Sequence, residues 1–117
     1  TRTNLSKDYL SKFEVFIKAY FDNNNQLEQG IPTVKQCGIE MNMSGHYLSD
    51  LLKNETGKSL IEHIHLQLID RAKNSLLNTN DSVSQVAYSL GFEYPQYFST
   101  LFKSKTGMSP SEYRNLN

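Results

Sequence analysis

Two short polar faces occur in this sequence with the same internal spacing. They comprise His46, Ser49, Asp50 and Lys53 in the first, and Gln96, Ser99, Thr100 and Lys103 in the second. Intervals of three, four and seven residues place each set on one face of an α-helix. Such a face can lie in a major groove of DNA, where Gln bonds adenine bidentately, Ser and Thr donate or accept, and Lys reaches guanine or phosphate. The pattern therefore favours the reading of base edges.

Both faces belong to an internal repeat. The stretch YLSDLLKNETGKSL (47–60) returns as YFSTLFKSKTGMSP (97–110), with seven identical positions at an offset of 50. Upstream the match continues at an offset of 49, so the second copy carries one extra residue in its turn. Each copy is predicted to be a short helix, a tight turn and a second helix. A repeated segment corresponds to one structural unit, so the sequence predicts two helix-turn-helix units.

Apolar residues follow helical periods throughout, which predicts an all-α fold. We expect Ser6 to cap a first helix that ends at Asp22, and a loop from there to Gly30. The segment from Ser59 to about Asn78 is predicted to be one uninterrupted linker helix. Its expected buried stripe is Leu60, Ile61, Ile64, Leu68, Ile69, Ala72, Leu76 and Leu77. At a length of roughly 30 Å, this helix suits two recognition helices about one DNA turn, roughly 34 Å, apart.

Helix starts are marked by capping boxes, in which a Ser or Thr hydroxyl and a Glu or Gln three residues later bond each other's amides. Four pairs fit: Thr33 with Gln36, Ser59 with Glu62, Ser82 with Gln85, and Ser109 with Glu112. Asn42 and Gly91 stand where the first helix of each copy should end in a left-handed residue. Gly38 and Ala87 are small where two helices should cross closely.

The composition argues against several classes of protein. Lys plus Arg and Asp plus Glu number 12 each, so no bulk charge indicates a nucleic-acid or membrane partner. The single Cys37 excludes an intramolecular disulfide and is predicted to be a core residue. His63 and His65 are two apart on a helix and point in different directions, so no metal site is predicted. We predict no enzyme, no cofactor, no membrane association and a cytoplasmic location.

Three segments resemble the DNA-binding domain of AraC/XylS-type transcriptional regulators. They are LLKNETGKSL, LIDRAKNSLL and VSQVAYSLGFEYPQYFSTLFKSKTGMSPSEYR, and the resemblance covers about residues 31–114. It implies about seven helices, with two helix-turn-helix subdomains joined by a long linker helix. It also implies binding to double-stranded promoter DNA beside RNA polymerase, and a sensor or dimerisation domain upstream. Carried over by position, base-facing roles fall on His46, Ser49, Asp50, Lys53, Pro95, Gln96, Ser99, Thr100 and Lys103.

The expected division is an N-terminal helix and loop (1–30), a first helix-turn-helix (31–58), a linker helix (59–78) and a second helix-turn-helix with a closing helix (79–117). Many members of that family are basic and carry Arg at one or more base-facing positions, whereas here Asp50 and Thr100 stand on those faces. Asp can accept from cytosine but repels phosphate. The alternative is a helical protein-protein interaction module without direct DNA reading, in which Tyr88, Tyr94 and the two polar faces dock a protein. Neutral net charge is compatible with that alternative.

Overall fold

A computed structural model of the chain describes residues 2–116, with side chains from residue 5 to residue 116. These residues form helices and no strand, which confirms the all-α prediction. The helices within 2–116 are α1 (Arg2–Asp22), α2 (Asn25–Gln29), α3 (Val34–Glu40), α4 (Gly45–Thr56), α5 (Leu60–Asn78), α6 (Val83–Ser89), α7 (Pro95–Thr106) and α8 (Pro110–Asn115). Among the described residues, there are thus eight helices rather than about seven.

The additional helix is α2, in the stretch where the sequence predicts a loop. It follows Asn24, whose φ of 60° is left-handed, and it ends at Gly30 with a φ of 78°. Gln26 is buried, and its Nε2 donates to the carbonyl of Ser89 at 3.0 Å. A five-residue helix has no apolar period for sequence reasoning to detect, and here a distant partner holds it in place.

The predicted start of the first helix is wrong. Helix α1 begins at Arg2, and Ser6 lies inside it, 5% exposed. Ser6 is spaced seven residues from the buried Phe13, so it shares the packed face of the helix. Its hydroxyl therefore does not serve as the N-cap.

The chain forms two compact units. The first comprises the residues up to Asn23 together with Pro32–His65, and the second comprises Asn24–Ile31 together with the residues from Leu66 on. Helix α5 runs unbroken through the boundary, which confirms the uninterrupted linker helix. Ile61 and Leu77 are 43% and 44% exposed, so their assignment to its buried stripe is wrong. Leu60 and Ile64, four residues apart, lie on the buried side of the helix. Ile61 lies about 100° around the helix from Leu60 and is therefore off that side.

In the first unit, α1 and α3 both pack on α4. The core of this unit consists of Phe13, Ile17, Tyr20, Phe21, Cys37, Met41, Leu48, Leu51, Leu52, Leu60 and Ile64. Cys37 is fully buried, as predicted. The apolar side of α4 is thus enclosed.

In the second unit, α7 contacts α6 and α8, and α2 contacts α6. Phe102 lies at its centre, with ring centroids 5.8 Å from Phe98 and 5.5 Å from Tyr113. From the closing helix α8, Arg114 Nε donates to the carbonyl of Leu76 at 2.9 Å. That carbonyl lies in the last turn of α5, where helix carbonyls lack intrahelical donors. Arg114 therefore ties α8 to the end of the linker helix.

All four predicted capping boxes are confirmed. Thr33 and Gln36 close theirs at 2.8 and 3.1 Å, and Ser109 and Glu112 at 2.9 and 3.1 Å. The other two boxes, at Ser59 with Glu62 and at Ser82 with Gln85, contain both hydrogen bonds as well. Among residues 2–116, no helix combines the length and apolar character needed to span a bilayer.

Candidate nucleic-acid interface

The two copies of the repeat have the same anatomy. Helices α3 and α6 each have 7 residues, and α4 and α7 each have 12. The turn between α3 and α4 occupies residues 41–44 and that between α6 and α7 residues 90–94. The second turn is thus one residue longer, as the shift in offset predicts.

Each turn is built around a left-handed residue and a close helix crossing. Asn42 has a φ of 59° and Gly91 a φ of 101°, which confirms the predicted helix ends. The amide of Met43 donates to the carbonyl of Gly38 at 2.9 Å. A Cβ on Gly38 would lie 2.6 Å from the amide nitrogen of Gly45, so the first crossing needs glycine. These contacts fix the direction in which α4 leaves the turn.

The ends of the second helices explain the repeated Thr-Gly pair. The hydroxyls of Thr56 and Thr106 each donate to the carbonyl four residues earlier at 2.8 Å. Gly57 and Gly107 follow with left-handed φ values of 81° and 84°. Both helices therefore stop at equivalent points, and each polar face has the same length.

The outer face of α4 bears most of its predicted site residues. Its exposed side chains are His46, Tyr47, Asp50, Lys53 and Asn54. Leu48, Leu51 and Leu52 occupy the opposite, buried side. Ser49 is half-buried, and its Oγ accepts a hydrogen bond from the amide of Leu60 at 3.1 Å. The structure thus brings together three of the four predicted side chains on one exposed surface.

The outer face of α7 has the same layout. Its exposed side chains are Gln96, Tyr97, Thr100, Lys103 and Ser104, whereas Pro95 and Ser99 are half-buried. Thr100 Oγ1 donates to the carbonyl of Gln96 at 2.9 Å, so its oxygen can still accept a hydrogen bond. Phe98 and Phe102 are fully buried beneath this face.

Residues 39–116 match a family model described as a helix-turn-helix domain, two thirds of the chain. The chain belongs to the AraC-type helix-turn-helix family. Its fold resembles the C-terminal domain of AraT, a response regulator from Geobacillus stearothermophilus, with a TM-score of 0.76 and 28% identity. That match covers 90% of this chain and 84% of the other.

Two curated relatives are longer proteins. The HTH-type transcriptional regulator YisR of Bacillus subtilis is 32% identical over 84 residues, which are 72% of this chain and 29% of YisR. The xylose operon regulatory protein of Escherichia coli is 29% identical over 113 residues, 96% of this chain and 29% of that protein. The chain therefore spans less than a third of the length of each of these relatives.

Sequence reasoning missed two aromatic members of the outer faces of this AraC-type domain. Tyr47 is 50% exposed and Tyr97 is 61% exposed, at equivalent positions of the repeat. Tyr94 packs edge to face on Tyr97, with centroids 5.4 Å apart. The available signal was an identical tyrosine in both copies that neither apolar stripe includes.

Next to the end of α4, His63 occupies a partly apolar site. Its Nε2 lies 2.9 Å from Thr56 Oγ1, and its ring meets Phe13 edge-on with centroids 6.0 Å apart. Burial lowers the pKa of His63, although the nearby Glu14 carboxylate opposes that effect. Within the described part of the AraC-type domain, no group of three or more His, Cys, Asp or Glu could hold a metal ion.

Proposed function

We propose that this AraC-type domain binds specific sequences of double-stranded promoter DNA in the regulation of transcription. One observation carries the proposal, which is that each helix-turn-helix exposes an equivalent polar face on its second helix while enclosing the apolar side of that helix. A helix with that arrangement fits the major groove, which admits one α-helix and presents distinct donor and acceptor patterns. The names of YisR and the xylose operon regulatory protein place both relatives in transcription control.

We assign direct roles to the exposed side chains by their chemistry. We call the exposed faces of α4 and α7 the first and the second reader. In the first reader the residues are His46, Asp50 and Lys53. Lys53 would contact phosphate or guanine, and Asp50 would contact cytosine or lie near the DNA backbone. In the second reader they are the exposed Gln96, Thr100 and Lys103, and we add the half-buried Pro95 and Ser99. Ser49 completes the set predicted from sequence and is treated separately below because its hydroxyl is already engaged.

The proposed division is a first reader within 31–58, a linker helix within 59–78, and a second reader with a closing helix within 79–117, preceded by the segment 1–30. Helix α5 has 19 residues and is therefore about 28 Å long. We propose that its length lets α4 and α7 enter successive major grooves, spaced by roughly 34 Å. Contact with RNA polymerase, control by a sensor or dimerisation domain, and a cytoplasmic location are further parts of this proposal.

Docking of a protein is the second candidate function. Tyr88 and Tyr94 are 54% and 46% exposed, and the chain has no net charge. Exposed aromatic side chains are enriched at protein interfaces. This alternative predicts binding that changes little with salt, whereas neutralisation of phosphates by Lys and Arg makes DNA affinity fall steeply and log-linearly with salt.

The test starts from a duplex selected by the domain out of a random pool. Affinity for the selected duplex and for a scrambled one is then measured over a range of salt concentrations. We expect preference for the selected duplex and a linear fall of log affinity with log salt. Equal affinity for both duplexes, or affinity independent of salt, contradicts the proposal.

Matched lysine variants locate the surface. Lys53 lies on the outer face of α4, and Lys7 is an exposed lysine of a different helix, α1. Lys53→Ala should weaken binding and reduce the salt slope by about one, whereas Lys7→Ala should change neither. If the two variants behave alike, the outer face of α4 is not the DNA contact.

Asp50 separates two modes of contact. If its carboxylate accepts from a cytosine, Asp50→Ala loses about 1–3 kcal/mol on the selected duplex and relaxes one base pair. If the carboxylate only repels phosphate, the variant binds every duplex more tightly, and this is the outcome we expect. Unchanged affinity for both duplexes would remove Asp50 from the interface.

A further inference from the structure

The helices that follow the two readers begin at equivalent positions of the repeat. Helix α5 starts with Leu60 after Ser59, and α8 starts with Pro110 after Ser109. The first amides of an α-helix have no intrahelical acceptor, and a buried amide left without one is costly. Leu60 has such an amide, and its side chain is fully buried. Pro110 has no amide proton and needs no acceptor.

The two serines at the equivalent position of the readers meet these different neighbours. Ser49 Oγ accepts from the Leu60 amide at 3.1 Å. Ser99 lies fifty residues later, and in its copy of the repeat the residue equivalent to Leu60 is Pro110, which offers no such proton. In the part of the chain that the structure describes, the Ser99 hydroxyl has no hydrogen-bond partner.

Orientation follows from the engaged hydroxyl. Because the amide reached by Ser49 belongs to a fully buried residue, the Ser49 oxygen is turned toward the packed side of α4. His46 and Asp50 are exposed on the other side. The Ser49 hydroxyl keeps its own proton to donate, but its oxygen is held toward the packed side, so turning it to a base edge would leave the Leu60 amide without an acceptor.

We propose that the two equivalent serines have different functions. Ser49 is a positioning residue that fixes the recognition helix α4 to the first turn of α5, and Ser99 contacts DNA. The part concerning Ser99 rests on the proposed function, whereas the part concerning Ser49 does not. The first reader then discriminates bases without a serine or threonine hydroxyl, whereas the second reader uses two, those of Ser99 and Thr100.

Thermal melting and base preference separate these roles. Ser49→Ala should lower the Tm by roughly 3–8 °C because a buried amide loses its acceptor, while the ranking of single-base-pair variants of the selected duplex stays the same. Ser49→Thr, which keeps the hydroxyl, should restore most of the Tm. Ser99→Ala should leave the Tm within about 1 °C and reduce discrimination at one base pair by roughly 5- to 100-fold.

A double-variant cycle tests the hydrogen bond itself. Leu60→Pro removes the amide proton and copies the arrangement of the second reader, at a position where helices accept proline. In that background Ser49→Ala should lower the Tm no further. If Ser49→Ala lowers the Tm of the Leu60→Pro variant as much as it lowers that of the unmodified chain, the assigned hydrogen bond is wrong. If Leu60→Pro does not fold, the deciding result is Ser49→Thr, and its failure to restore the Tm overturns the assignment.

The two parts fail in distinguishable ways. A change of base preference in Ser49→Ala at unchanged Tm overturns the positioning role. A Tm loss in Ser99→Ala equal to that in Ser49→Ala overturns the difference between the serines. If the unmodified chain prefers no duplex, the proposed function and the Ser99 contact both fall, while the melts of the Ser49 variants still decide the positioning role.

Discussion

The crossing of α3 and α4 makes a sharp prediction for Gly38→Ala. A Cβ at this position would lie 2.6 Å from the amide nitrogen of Gly45, 2.7 Å from the carbonyl oxygen of Met43 and 2.9 Å from the carbonyl carbon of Ser44. All three atoms belong to the backbone, so no side-chain rotation can relieve the contact. The turn or the α4 helix has to move.

Two opposing effects set the size of the change. Alanine is better than glycine in a helix by about 0.8–1 kcal/mol. Overpacking a well-packed site costs about 1–3 kcal/mol, and rigid backbone neighbours place this site at the upper end of that range. The net loss is therefore about 2 kcal/mol, which corresponds to a fall in Tm of roughly 10 °C for a unit of this size.

Thermal melting followed by circular dichroism measures this loss, and duplex binding well below the Tm measures any displacement of α4. Ser84→Ala is the control, because Ser84 is exposed in the equivalent short helix α6 and gains helix propensity without a clash. We expect the control to stay within about 2 °C of the unmodified chain. A Gly38→Ala variant as stable as the unmodified chain would show that the crossing is not as close as described.

Three further predictions follow from burial. Phe102→Ala should cost about 3–5 kcal/mol of unfolding free energy because the ring is fully buried, whereas Thr100→Ala on the outer face should stay within about 0.5 kcal/mol. If Thr100→Ala lost more stability in thermal melts than Phe102→Ala, the buried and exposed faces of α7 would be assigned the wrong way round. Burial, with the Glu40 carboxylate nearby, raises the pKa of the Cys37 thiol to about 11, so an aromatic disulfide reagent at pH 8 should label it slowly until denaturant is added. Burial lowers the pKa of His63, so the folded chain binds a proton there less readily than the unfolded chain. The contribution of His63 to stability should therefore be full above about pH 6.5 and decrease below it. In pH-dependent melts, His63→Gln should flatten that decrease.

Much of the fold could be predicted from the sequence because its signals are local. The capping boxes join residues three apart, and each pair that the sequence predicts forms both hydrogen bonds. The left-handed residues Asn42 and Gly91 depend on backbone preferences of single positions. The repeat shows the same pattern a second time, which allowed both turns, and the extra residue in the second turn, to be predicted. Such features need no knowledge of distant partners.

The outer faces could be predicted only in outline. Helical periodicity separates the buried Leu48 and Phe102 from the exposed Asp50 and Lys103. It assigns residues at the edge of a face poorly, because their exposure depends on what packs beside the helix. Tyr47 therefore went unassigned although it is 50% exposed.

Only the tertiary structure decided the long-range hydrogen bonds. The Ser49 hydroxyl meets the amide of Leu60, Gln26 meets the carbonyl of Ser89, and Arg114 meets that of Leu76. These contacts span 11, 63 and 38 residues. Their formation depends on which unpaired backbone groups the packed helices bring within about 3 Å of a polar side chain, and no local pattern encodes that distance. The sequence by itself determined where the helices with capping boxes, α3, α5, α6 and α8, begin and which faces are polar. The packing of the helices determined which polar groups are left free to meet a ligand.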